Sequence, residues 1–295
     1  MTWRLAVSAG LLLASCVAPN IEHREEVSSI PEIVVDGYEL DARALVADLA
    51  FHMPEETEQL VRGLQRSAFA EREAHRLGIH ADDASVQLSL QAALHEISAN
   101  LPEGADMEHW ARSRYERSLA EVRAALESRI RRNLVYQLVL RCESLLSDRL
   151  RMHVFHVAAE DEGFALKRKL EAGADPRVLL QDEFLPPWVG EDGTWPPLPV
   201  FLPEPLGSAL ENAAVGTVVG PLRLPGDEAY WVVRVAEVLP ATVYFPPQSV
   251  LLEALHEQPI LPIEARAWFE EMASRYTSSG KLPNIRERKP FVPRR

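Results

Sequence analysis

Glu143-Ser-Leu-Leu-Ser-Asp-Arg-Leu-Arg-Met-His-Val-Phe-His-Val157 is the stretch in which the pattern of the chain changes. Up to Leu145, apolar residues recur every three or four positions, the period of a helix with one buried face. From Arg149 the period becomes two. Leu150, Met152, Val154 and His156 project to one side of a strand, and Arg151, His153, Phe155 and Val157 to the other. A helical half therefore precedes a half that contains strands, and the fold class read from this switch is α+β.

Working back from the switch, Ser118 and Glu121 have the spacing of a capping box and start the longest predicted helix. Its apolar positions Leu119, Val122, Leu126, Ile130, Leu134, Leu138, Cys142 and Leu145 cover about seven turns. Cys142 in that stripe reads as a small core residue rather than a reactive thiol. Arg129, Arg131 and Arg132 on the same helix read as a solvated face paired with nearby acids. An earlier helix, capped by Asp82, buries Val86, Leu90, Leu94 and Ile97. Before it, Gly78 takes the left-handed cap position with Ile79 folding back on the last turn. The chain restarts at Asp106, with Met107 and Trp110 as anchors, and Ile33 to Leu40 reads as a short strand, a turn at Asp36 and Gly37, and a helix entry near Asp41.

Working forward, a helix over Glu162 to Ala172 closes at Gly173, and Leu185 to Pro205 is irregular. A short helix follows near Leu206 to Asn212, then a tight Gly216 to Pro221 segment and a strand from Tyr230 to Val235. Pro240 to Pro247 is a linker, and Ser249 to Ser274 returns to helix. Trp188 and Trp195, set among prolines, are either exposed binding aromatics or the loop's own small core.

The formal charge of −13 over 295 residues excludes the basic footprint that nucleic acid requires, so no nucleic-acid partner is expected. No His-Glu-x-x-His or paired-cysteine motif is present, and His153 and His156 face opposite sides of their strand, so no metal site is predicted. No cofactor is predicted either.

At the amino terminus, Arg4 precedes an apolar stretch from Leu5 to Ala14, the layout of a signal peptide and too short to span a bilayer. Leu13-Ala-Ser-Cys16 resembles the lipobox of bacterial lipoproteins, which implies cleavage before Cys16, lipid on that cysteine and a membrane anchor. In that family the absence of Asp after the cysteine, where Ala18 stands two residues on, implies the periplasmic face of the outer membrane rather than the inner. Residues 1–15 are thus the predicted signal peptide and 16–32 a flexible tether.

The second half resembles the parvulin-type peptidyl-prolyl isomerases, in the SurA and PrsA-like branch of exported foldases. The likeness rests on Met152 to Val157, on Lys169-Leu-Glu-Ala-Gly-Ala-Asp175, on Leu202-Pro203 with Gly216-Thr-Val-Val-Gly-Pro-Leu222, and on Ala229 to Val235. Glu73-Ala-His-Arg-Leu-Gly-Ile79 resembles the end of a helix in the same branch's helical domain. In that family a histidine on the first strand and one on the last frame the site, and an apolar pair grips the proline ring. The resemblance places His153 at the first position as catalytic candidate and Leu202 and Leu206 as the pocket pair. Trp231 stands where the last-strand histidine is expected, and the usual paired-glycine stretch is replaced by Gly190 to Pro197.

These departures imply a degenerate member. The expected organisation is a helical chaperone-like domain over 33–148, completed by a terminal helix over 248–276, a small parvulin-like domain over 149–240, and a mobile tail over 277–295. The expected function is a membrane-tethered, extracytoplasmic chaperone or foldase relative acting on unfolded or proline-containing polypeptides, with Leu202, Leu206 and Trp231 binding them. An active isomerase, with His153 orienting the amide, and a non-catalytic lipoprotein scaffold fit the same residues.

Overall fold

The computed structural model of the chain describes residues 34–35, 38–39, 42–102, 104–180 and 185–276. The predicted signal peptide, the expected lipidation site Cys16, the predicted tether and the tail over 277–295 lie outside the described residues. The chain divides into two compact units, Met1–Thr57 and Glu58–Arg295. In the first, β1 (Val34–Val35) pairs antiparallel with β2 (Tyr38–Glu39), Val35 opposite Tyr38, and α1 (Ala42–His52) follows. Helix α2 (Pro54–Leu77) begins in this unit and continues into the second.

The second unit is α+β. Helix α2 ends where Gly78 adopts φ +68°, and the Ile79 amide returns to the Ala74 carbonyl at 2.9 Å. Asp82 caps α3 (Asp83–Ala99) by accepting from the Ser85 amide at 2.8 Å, and Asp106 does the same for α4 (Met107–Tyr115) through the His109 amide. Ser118 and Glu121 form the capping box of α5 (Leu119–Leu145), a helix of 27 residues. Arg131 on α5 pairs with Asp83 and Glu127, the solvated role its sequence suggests.

Near its C-terminal end α5 is buried on every side, with Leu138, Val139, Leu140, Arg141 and Cys142 all at or near zero exposure. The sequence stripe describes one face only, and the rest is covered by the chain's return. After β-strands described below, the C-terminal segment forms α9 (Gln248–Glu257) and α10 (Pro262–Arg275), two helices where sequence periodicity suggests one. The break falls at Gln258, in extended conformation, because Pro259 and Pro262 lack the amides that a continuous helix needs. Leu251 of α9, and Trp268 and Met272 of α10, join Phe69, Ala70 and Ala74 of α2 around α5 in one core.

Polar groups fix this docking. Trp268 donates its indole N–H to Glu143 at 2.6 Å, and Arg76 and Arg275 both bridge Glu73 and Glu143. Burial raises the Glu73 pKa, but bonds from Arg76 and Tyr276, with the charges of Arg76 and Arg275, more than offset it and hold the carboxyl below its ordinary value. Glu143 goes the other way, pushed up chiefly by burial. Deeper still, Arg141 pairs with Glu264 at 3.4 Å and donates to the Gln258 carbonyl at 3.0 Å, while Glu264 accepts from the Leu261 amide at 3.0 Å. One buried pair thus closes the α9–α10 turn onto α5.

Between α5 and α9 lies a four-stranded antiparallel sheet in the order β4-β3-β6-β5, formed by β3 (Arg149–Val157), β4 (Leu198–Pro199), β5 (Val218–Arg223) and β6 (Tyr230–Leu239). Helix α6 (Glu160–Glu171), the single turn α7 (Pro176–Leu179) and α8 (Leu206–Leu210) complete it. The segment read from sequence as a tight turn at Gly216 to Pro221 is mostly strand β5, interrupted by a shift in register between Val219 and Leu222. Gly220 sits in that irregularity at φ +108°, where a Cβ would lie 2.3 Å from the Trp231 carbonyl oxygen, so only glycine lets the two strands meet there. The period-two reading of β3 holds: Leu150, Met152 and Val154 pack on one face of the sheet, and Phe155 packs with Leu170 of α6 on the other. Among the described residues no helix is long and apolar enough to cross a membrane.

Replacing Arg141 with leucine strands the Glu264 carboxylate in the core, and the expected loss is about 3–5 kcal/mol at neutral pH. Burial already lifts the Glu264 pKa above its ordinary 4.5. Without Arg141 the Glu264 pKa rises further still, so the deficit is complete only above the variant's higher value, shrinks as pH falls through it, and is gone below the wild-type's own raised value, where both folded proteins hold the proton. Urea unfolding of both proteins across this range reads the effect directly.

Candidate functional site

The loop between α7 and β4 builds one wall of a cavity. Gly193 adopts φ +76° with Leu180 so close that a Cβ would lie 2.9 Å from its Cδ1. Asp192 accepts from the Thr194 amide at 3.1 Å and from its hydroxyl at 2.6 Å, and the Gly190 amide returns to the Thr194 carbonyl. This closed turn delivers Trp195, whose own amide bonds the Met152 carbonyl of β3 at 2.7 Å. The indole is thereby fixed over the sheet, and Trp188 packs edge-on against it with ring centroids 4.7 Å apart.

On the sheet, Trp231 stands opposite His156 in the β3–β6 register, and the two rings meet edge to face at 4.4 Å. Trp195 lies 5.6 Å from Trp231, so His156, Trp231, Trp195 and Trp188 form a continuous row of edge-to-face rings. The Trp231 indole N–H donates to Asp227 at 2.9 Å, which sets the ring's tilt. Together with Pro203, Leu224 and the start of α10 (Leu261, Pro262, Ile263 and Arg266), these tryptophans enclose an apolar cavity of about 250 Å³. That is just under the ~300–1,000 Å³ usual for drug-sized ligands, and it leaves room for one or two side chains.

The residues singled out in the sequence separate into three groups. Trp231 lines the cavity. Leu202 and Leu206 share its hydrophobic cluster but are almost fully buried, 6% and 1% exposed, and form the layer beneath the cavity rather than its surface. His153 is on the opposite face of the sheet, beside Gly193 and near Asp192, and is not brought to the other three. Its Nδ1 has no hydrogen-bond partner among the described residues. Trp195 is buried and Trp188 half-buried in the loop's own cluster, the second of the two sequence readings, and both also line the cavity.

Sequence reasoning missed His156, Leu224, Asp227, Leu261, Ile263 and Arg266. The parity of β3 already put His156 on the side of Leu150, Met152 and Val154. Nothing in the sequence said that the start of a helix thirty residues beyond Trp231 would close the same pocket.

Chemically the site offers adhesion more than reactivity. Burial lowers the His153 pKa, opposed by a hydrogen bond to the Asp192 backbone, and burial likewise lowers that of His156, opposed by Asp227. Both imidazoles are thus mostly neutral at pH 7, with His153 buried and His156 exposed. The buried Cys142 thiol is pushed up to about 11 by burial and lies in the helical core, so no thiolate is on offer. Among the described residues no group of three or more His, Cys, Asp or Glu is placed to hold a metal ion.

Because the imidazole of His156 packs against Trp231, its protonation should quench indole emission. The expected curve falls with a midpoint below 6.5, the ordinary value, since burial favours the neutral ring. His156→Gln should flatten it; a curve unchanged by that substitution would assign the titration to another group.

No protein-family model matches the sequence, and no curated protein matches it. Among solved structures it is similar to peptidylprolyl isomerase PrsA from Bacillus anthracis, with 14% identity and a TM-score of 0.32, spanning 74% of this chain and 96% of that one. Foldase protein PrsA from Streptococcus pneumoniae gives 13% identity and 0.34 over 86% of this chain and 96% of that one. PrsA from Bacillus subtilis gives 11% identity and 0.30 over 85% and 94%.

Proposed function

We propose that the chain is an exported, lipid-tethered folding factor that binds apolar segments of unfolded or proline-containing polypeptides and has lost prolyl isomerisation. The observation that carries the reading is the tryptophan-walled cavity itself. An apolar pocket with rigid aromatic walls and a polar rim holds a side chain of an extended peptide by excluding water from it. Rotation about a prolyl bond needs more: polar groups that favour the twisted amide over the planar one. His153, the residue that the parvulin resemblance nominates for that task, is across the sheet from the cavity, and by the same resemblance Trp231 stands where the second histidine is expected.

In this reading residues 149–240 are a parvulin-like binding domain and residues 33–148, with 248–276, a helical domain that cradles clients. Cleavage before Cys16 and lipid on its sulfur would hold both outside the cytoplasm, at the periplasmic face of the outer membrane. Support for the anchor is the lipobox-like Leu13-Ala-Ser-Cys16 after a short apolar stretch.

Two assays on the full chain test the reading. Titration with tryptophan-free unfolded peptides should change indole emission, and Trp231→Ala should weaken binding by about ten-fold or more, the scale of a truncated aromatic anchor. A prolyl isomerisation assay over a set of Xaa-Pro peptides should stay at background. A rate above background that Trp231→Ala abolishes would instead make the protein an isomerase, and absence of binding would leave the scaffold reading. Leu206→Asp is a poor probe here, because a charge at a core position reports loss of stability.

A further inference from the structure

The rim of the cavity carries two charged side chains, Asp227 from the β5–β6 connection and Arg266 from α10, and they are not equivalent. Asp227 is engaged: its Oδ2 accepts the Trp231 indole N–H, and its backbone carbonyl accepts from Arg223 Nε at 3.1 Å. Arg266 is partly spent at most. Its Nε donates to Glu270 at 3.1 Å, and its two terminal nitrogens have no hydrogen-bond partner among the described residues. The side chain is 35% exposed, so a planar fork of donors stands open at the mouth of an apolar pocket. What sets it apart from the other surface arginines is its place at the rim of the cavity, in a chain of formal charge −13.

Resting on the peptide-binding reading above, we propose that Arg266 sets the specificity of the cavity. The ligand is an extended polypeptide that places an apolar side chain or proline ring among Trp188, Trp195 and Trp231 and presents a carboxylate to Arg266 from an adjacent position. A guanidinium matches a carboxylate bidentately, whereas a lysine or arginine at that position would meet like charge. The carboxylate comes either from an aspartate or glutamate side chain or from the terminus of the bound chain. Both sources share the same chemistry, and ligands with neither bind through the apolar contact alone.

The probes are acetylated, amidated peptides with one Leu-Pro core flanked by Glu, by Gln or by Lys, and a Gln-flanked peptide ending in a free carboxylate directly after the core. Each is titrated into the full chain at low salt, with tryptophan emission as the readout. The Glu peptide should bind about three- to five-fold more tightly than the Gln peptide, the scale of a partly exposed ion pair, and the Lys peptide most weakly. A free-terminus peptide that outbinds its amidated counterpart identifies the chain terminus as a source. Arg266→Gln should erase the differences, Arg266→Glu should reverse the order of Glu and Lys, and salt at about 1 M should level them. Equal binding of the Glu and Gln peptides, or a preference that survives in Arg266→Gln, overturns the proposal while sparing the peptide-binding reading. Failure of every peptide to bind removes that reading itself.

Discussion

The return of the C-terminal helix onto α5 is the constraint on which the rest depends. Trp268 reaches the centre of the helical core and still satisfies its N–H on Glu143, while Glu264 meets Arg141 beneath the preceding turn. Desolvating two carboxylates and their arginines is costly, and pairs of this kind seldom add net stability over an apolar core. What they contribute is register. Arg141 holds both Glu264 and the Gln258 carbonyl, so α10 cannot slide by a turn without stranding charge. With α10 fixed, Leu261, Ile263 and Arg266 are fixed as well, and the cavity acquires a wall that the sheet alone cannot supply.

That wall explains why a row of aromatic rings stays usable. Edge-to-face indoles left to themselves close over one another and expel the space between them. Here Trp195 is tied to β3 through its backbone, Trp231 to Asp227 through its indole, and the far side is propped by a helix whose position is set elsewhere. The cavity is preformed, so a ligand does not have to order it, and little of the binding free energy is lost to rearrangement.

Local chemistry in the sequence was legible; long-range closure was not. Ser118 with Glu121, Asp82 and Gly78 mark helix ends because capping is settled within four residues, and each does so in the structure. The alternation of β3 was equally readable, down to which histidine faces which side. Strand β5 escaped because a glycine at positive φ and a proline interrupt it, and those residues read as a turn unless the partner strand is known. The division at Gln258 into α9 and α10 was legible in Pro259 and Pro262, and following the apolar residues alone passes over it. Arg141 with Glu264, and Trp231 with Ile263, are pairs whose members carry no mark of each other, since their meeting is decided by how the chain folds back.

The sheet segment leaves and rejoins the helices at almost one point. Arg149 pairs with Leu239, the Ala241 amide bonds the Asp148 side chain at 2.8 Å, and the Thr242 amide and hydroxyl both bond the Leu145 carbonyl. The two cut points are thus a hydrogen bond apart, although nearly a hundred residues separate them along the chain. Geometrically this is an insertion through a closed doorway: the bundle of α2, α5, α9 and α10 is continuous whether or not anything passes through. A module joined in this way keeps its attachment points together, and it touches its host elsewhere chiefly through Gln258 and the start of α10. Substitutions in the sheet segment away from its contacts with α10 then leave in place the helices that frame it.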